Sequence, residues 1–190
     1  MIKGVEFWDD RYRYYTQTNN AFEKALGRLE SCGPTAATTI VDMMDNLQAP
    51  LTPGGWEPQP EDVLMLWFND PRNADIMKSI RRGVEEYPGN QVPQYYPQAV
   101  REVYGVRAEF IFTSDFGRIA DLLSQGNGVM LCLKDPGHYV AAVAYSDMKG
   151  EIIYHDPWPA RLGTGFNLAL GLAEYIDNVK EFAVVFPKEH

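Results

Sequence analysis

An α+β fold with an antiparallel sheet follows from a change of rhythm along the 190-residue chain. Up to about residue 105, apolar residues recur three and four apart, the spacing of a helix face. From Arg107 onward they fall into short runs rich in Val, Ile, Phe and Tyr, the signature of strands. "SDMKG" (146–150) is a hairpin connection between two such runs, and a hairpin makes its strands antiparallel. Helices first and strands second is an α+β order, not the alternation of a doubly wound sheet.

The elements follow in turn. "RYRYYTQTNN" is aromatic and polar and reads as extended. "NAFEKALGRLE" sets Phe22, Ala25, Leu26 and Leu29 on one helical face, with Asn20 in position to cap it. Gly33-Pro34 restarts the chain. Ala36, Ala37, Ile40, Val41, Met44 and Leu47 then form the stripe of a buried helix, with Pro34 in the first turn where proline is tolerated. "QAPLTPGGWEPQP" (48–60) is a loop, "PEDVLMLWFND" and "ADIMKSIRRGVEEY" are helices, and "PGNQVPQYYP" is a second loop. "QAVREVYG" is a helix ended by Gly105. "RAEFIFT" is a strand, and "SDFGRIADLLSQG" a helix capped by Ser114 or Thr113 and closed by Gly126. "GVMLCLK", "HYVAAVAY" and "EIIYHD" are strands, "LGLAEYIDN" a last helix and "EFAVVF" a last strand. The expected organisation is one domain over residues 1–190, helical to about 105 and sheet-forming from about 106.

Composition narrows the function. Hydrophobic residues make up 45% and aromatics 13%, enough for a packed core. The formal net charge is −9, a poor match to nucleic acid or an anionic membrane. The N-terminus lacks the apolar core of a signal peptide, and "GVMLCL" and "YVAAVAY" are too short to span a bilayer. Two cysteines 100 positions apart form neither a disulfide framework nor a metal-binding pattern. No metal or organic cofactor is expected. The expected compartment is cytoplasmic and reducing, with packaging in a virus particle or a non-standard export route as alternatives.

Three residues form a pattern that carries chemistry. Cys32 stands at a helix start, where unpaired backbone N–H groups and the helix dipole stabilise a thiolate. The same N–H groups can hold a developing oxyanion. A thiolate nucleophile needs a base. His138 opens one strand and Asp156 lies just past the end of the next, a separation of 156 − 138 = 18 that suits a hairpin returning to its starting edge. A carboxylate there orients the imidazole and stabilises its charged form. His155 competes as base, but alternation turns it away from the face that Asp156 uses. Cys132, inside "VMLCLK", reads as core.

"CGPTAATTIV", "GHYVAAVAY" and "YHDPW", in that order, resemble the motifs of the papain-like cysteine peptidase superfamily, nearest to the bacteriocin-processing (double-glycine leader) peptidases. The resemblance spans about Tyr15 to Phe186 and implies a papain-like fold with Cys32 as nucleophile, His138 as base and Asp156 as orienting residue. It also implies an upstream Gln whose amide completes the oxyanion hole. "YYTQTNN" nominates Gln17, with Asn19 and Asn20 as alternatives, although 32 − 17 = 15 is longer than the family spacing. The C-G-S/A-C-W/Y signature of plant and lysosomal papains is absent. These residues are not expected to include a membrane transporter of the kind to which bacteriocin-processing peptidases are often fused.

The expected activity is hydrolysis of a peptide or amide bond through a thioester. Two alternatives share the fold, an acyltransferase in which an amine takes the acyl group and a binding module without catalysis. Trp158 shields the His–Asp contact or packs as an ordinary aromatic. Trp56, Tyr95 and Tyr96 are expected to line a substrate groove from the segment 48–97, with at least one partly exposed near Cys32.

Overall fold

The computed structural model describes residues 2–4, 17, 31–44, 60–80, 92–135, 137–158, 165 and 167–188. Helix α1 (Cys32–Met43) is buried along almost its whole length. Its small residues Ala36 and Ala37 let it lie close to the sheet, and Ile40 and Val41 fill the space beside them. Helix α2 (Pro60–Asn69) carries Glu61 and Asp62 in its first turn, where acidic side chains suit the helix dipole. A 3-10 turn, Pro71–Asn73, is capped by Asp70, which accepts from the Arg72 N–H, and leads into α3 (Ala74–Ile80). A second 3-10 turn, Pro93–Tyr95, opens α4 (Tyr96–Tyr104), which ends at Gly105 in the left-handed region (φ 72°).

Polar bonds tie these helices together. The Tyr104 hydroxyl donates to the Pro60 carbonyl at 2.8 Å and lies 2.8 Å from Oγ1 of Thr38 on α1. The Trp67 indole donates to Glu102 at 2.7 Å, joining α2 to α4. Phe68, Tyr96 and Tyr139 stack in series, with ring centroids 5.1 Å and 6.0 Å apart, and carry the helical layer onto the sheet.

Among the described residues the sheet has seven antiparallel strands. Its order is β2 (Glu109–Phe112), β7 (Val179–Phe186), β3 (Gly128–Leu133), β4 (His138–Ser146), β5 (Glu151–His155) and β6 (Leu168–Gly171); β1 (Ile2–Gly4) pairs with the far end of β4. Alternation along the central strands builds two cores. Met130, Cys132, Tyr139, Ala141, Val184 and Phe186 face α1 and its neighbours. Val129, Leu131, Val140, Ala142 and Ala183 face α5 (Phe116–Ser124) and α6 (Leu172–Asn178), meeting Ile119, Leu123 and Tyr175. With both faces covered, β3 is buried throughout and reads as a continuous apolar run.

Three expectations change. Helix α5 is capped by Asp115, whose carboxylate accepts from the N–H groups of Gly117 and Arg118; Thr113 instead accepts from the Asp115 N–H. The aspartate wins because it alone lies directly before the first helical residue. Leu170 and Gly171, read as the start of the last helix, instead end strand β6, paired with β5 from Tyr154↔Leu168 to Glu151↔Gly171. Tyr95 and Tyr96, placed in a loop, start a helix. The helix expected over 20–30, Trp56, and the alternatives Asn19 and Asn20 lie outside the described residues.

Candidate active site

Cys32 is the first residue of α1 and is partly buried. Ser31 precedes it with a side chain that makes no cap bond to the helix. The next residues are Gly33 and Pro34, so this end of the helix presents a thiol with little side-chain bulk beside it. Pro34 lacks an N–H, and the first bond within the turn runs from Thr35 N–H to the Ser31 carbonyl at 2.9 Å.

His138 opens β4 and is almost fully buried. Its Nε2 lies 2.5 Å from Oδ1 of Asp156, which follows the last residue of β5. The hairpin brings the two together as the spacing of 18 predicts. The Cys32 thiol is the other group that acts on the imidazole. Burial by itself pulls the imidazole down. The interactions with Asp156 and Cys32, and the negative charge both can carry, outweigh burial and raise His138 to about 9.

Asp156 is held from three directions. Its Oδ1 also accepts the Trp158 N–H at 2.7 Å, and its own N–H donates to the Gly165 carbonyl at 2.7 Å. The Trp158 ring is half-buried and lies edge-on to His138, with centroids 6.3 Å apart. Gln17 joins the same turn, because its backbone N–H donates to the Pro157 carbonyl at 2.9 Å. Its side chain is buried, and its Oε1 has no hydrogen-bond partner among the described residues.

The other polar residues near the strands stand apart. His155 is buried, its Nδ1 accepts the Asn167 N–H at 3.0 Å, and burial drives it down to about 4, so it is neutral near pH 7. Cys132 is buried in β3 and burial pushes its thiol up to about 11. Tyr95 and Tyr96 are 1% and 0% exposed, so neither lines an open groove. Tyr96 packs between Phe68 and Tyr139 because the chain turns helical at Pro93, which swings both rings into the core. Its hydroxyl is held protonated by burial first and then by the nearby Tyr139 and Cys32 groups, which sets it within electrostatic reach of the thiol. Sequence periodicity offered no sign of this supporting role, since "QYYPQ" looks like a proline loop.

Among the described residues, no three His, Cys, Asp or Glu side chains converge as a metal-binding set, and no helix is long and apolar enough to cross a membrane.

Comparison with known proteins agrees with this fold. The profile of the Peptidase C39-like family matches residues 10–169. A C39-like peptidase structure from Bacillus anthracis is 11% identical, with 94% of this chain and 95% of that one covered and a TM-score of 0.52. A double-glycine-motif protease from an AMS/PCAT transporter, solved with its leader peptide, is 10% identical, with 83% and 85% covered and a TM-score of 0.50. No curated protein matches the chain.

Proposed function

The chain belongs to the Peptidase C39-like family, and from that premise we propose that it is a thiol-dependent hydrolase of peptide bonds. The Cys32 thiolate attacks the carbonyl carbon and its sulfur forms a thioester. The tetrahedral oxyanion is held by the Cys32 backbone N–H and by the Gln17 side-chain amide, in a part of the helix where N–H groups favour negative charge. His138, protonated in the resting site, gives its proton to the leaving amine. Water deprotonated by His138 then releases the acid and restores the thiol. Asp156 holds the imidazole in orientation and stabilises its charge.

One observation carries this reading. A helix-start cysteine and a strand-end aspartate both act on one buried histidine, with a 2.5 Å contact on the aspartate side. A structural histidine needs no thiol partner, and a binding module needs neither. The similar double-glycine-motif protease takes a leader peptide, which favours a peptide as substrate here too.

The test is selective alkylation. Limiting iodoacetamide at about pH 6, where an ordinary thiol is almost entirely neutral, labels Cys32 and leaves Cys132 unmodified. Labelling Cys32 abolishes peptide hydrolysis. Preferential labelling of Cys132, or hydrolysis that survives the loss of the Cys32 thiol, removes the proposal.

A further inference from the structure

Lys180 is a cation without a role in the proposed mechanism. It is the second residue of β7, half-buried. Val179 before it packs into the core on the α5 and α6 side, so alternation turns Lys180 to the face that α1 and Cys32 cover. Two contacts agree. A Cβ built on Gly137 would meet Nζ of Lys180 at 3.9 Å, so the ammonium sits against the residue directly before His138. The same ammonium acts electrostatically on Cys132, which belongs to the core beneath α1.

Its neighbours are otherwise engaged. Lys134, on the turn between β3 and β4, donates through Nζ to the Ile176 carbonyl at 2.9 Å. Among the described residues, none forms a hydrogen bond or an ion pair with Lys180. In a chain of net charge −9, an ammonium with no partner among the described residues, set against the residue before His138, is an unusual placement. Gly137 puts no side chain between it and the start of β4, and with φ 87° that position suits only glycine.

The position on the site has a direction. His138 must reach the leaving nitrogen, so the leaving half of the substrate crosses the His138 side of the sulfur. We propose that Lys180 is a specificity-determining residue that binds a carboxylate on the leaving side of the scissile amide. This rests on the thiol reading of Cys32. The carboxylate is either an acidic side chain or the C-terminal group of a short leaving peptide.

Three reagents separate these cases without a known substrate. N-chloroacetyl-glutaminamide carries no carboxylate, N-chloroacetyl-glutamine only the terminal one, and N-chloroacetyl-glutamic acid α-amide only that of the side chain. In each, the thiolate displaces chloride and the amino acid extends toward the leaving side. One of the charged reagents alkylates Cys32 faster than the neutral one by about threefold to tenfold, as expected for a partly solvated charge pair. Lys180→Met cuts that ratio by at least about threefold and Lys180→Glu cuts it further, while the ratio cancels any change common to all three reagents. The reagent whose ratio responds identifies the carboxylate. A Cys32 that reacts with iodoacetamide but shows ratios indifferent to Lys180→Met overturns this inference alone. A Cys32 that iodoacetamide does not label overturns the thiol reading and the role of Lys180 with it.

Discussion

His138 and His155 are 17 residues apart by number (155 − 138) and are both almost fully buried, yet burial leaves them in opposite states. Burial alone acts on His155, whose Nδ1 accepts a backbone N–H, and it falls to about 4. His138 meets a carboxylate and a thiol, which favour the charged ring, and it rises to about 9. Titration of the ring protons by NMR is expected to give these two midpoints. Asp156→Asn removes the carboxylate, so the His138 midpoint drops by about a unit or more, and peptide hydrolysis slows by a factor on the order of 10² to 10⁴. An unmoved His138 midpoint in that variant would mean that Asp156 does not set its charge. These three positions were legible in the sequence because each is defined locally: a cysteine before Gly-Pro, and a histidine and an aspartate at the open end of one hairpin. The attachment of Gln17 was not legible, since it depends on the Pro157 carbonyl, 140 residues away (157 − 17).

At the scale of elements, the site depends on how closely α1 approaches β3. Gly128 opens β3, and a Cβ there would lie 2.2 Å from Cγ2 of Ile40, well inside contact distance. Ile40 is fully buried and has nowhere to retreat. Gly128→Ala therefore destabilises the protein by about 1–3 kcal/mol, the usual cost of overpacking. Ile40→Ala alone costs about 2–5 kcal/mol through the cavity it leaves. Because Ile40→Ala also removes the clashing methyl, the double variant costs less than the sum, and chemical denaturation of all three variants reads the coupling. Additive costs would show that the two residues do not meet. Helix α1 itself was plain from its apolar stripe, and so were β3 to β5 from their short runs. Strand β6 was not, because Leu and Ala favour helix and only pairing with β5 makes "LALG" extended. Helix α6 then starts at Leu172, after Gly171, whose N–H donates to Glu174 at 3.3 Å, so the visible helix signal was real but began two residues later than the apolar pattern did (172 − 170). Tyr95 and Tyr96 misled for a related reason. Proline at 93 looks like a loop residue, yet it occupies the first position of a 3-10 turn that runs into α4.

For the whole molecule, the two histidines set opposing limits on stability. Both titrate near 6.5 in the unfolded chain. His155 is depressed in the folded state, so above about pH 6.5 it is neutral in both states and contributes nothing. As the pH falls from there to about 4, the unfolded chain takes up a proton that the folded one refuses, and stability is lost. His138 is raised in the folded state, so its contribution is complete below about pH 6.5. As the pH climbs toward 9 the unfolded chain has already released that proton, the folded protein gives it up last, and the contribution drains away. Cys132 and Tyr175, pushed up by burial to about 11 and about 12, add further loss on the alkaline side. Maximum stability is thus expected near pH 6.5. Thermal unfolding across pH 4 to 10 in constant ionic strength maps this curve. His155→Gln, which keeps an acceptor for the Asn167 N–H without a titrating ring, flattens the acid limb and leaves the alkaline limb in place. Asp156→Asn does the reverse, shortening the alkaline limb because His138 then loses its proton at lower pH. A single variant that removed both limbs would show that one group, not two, governs the response to pH.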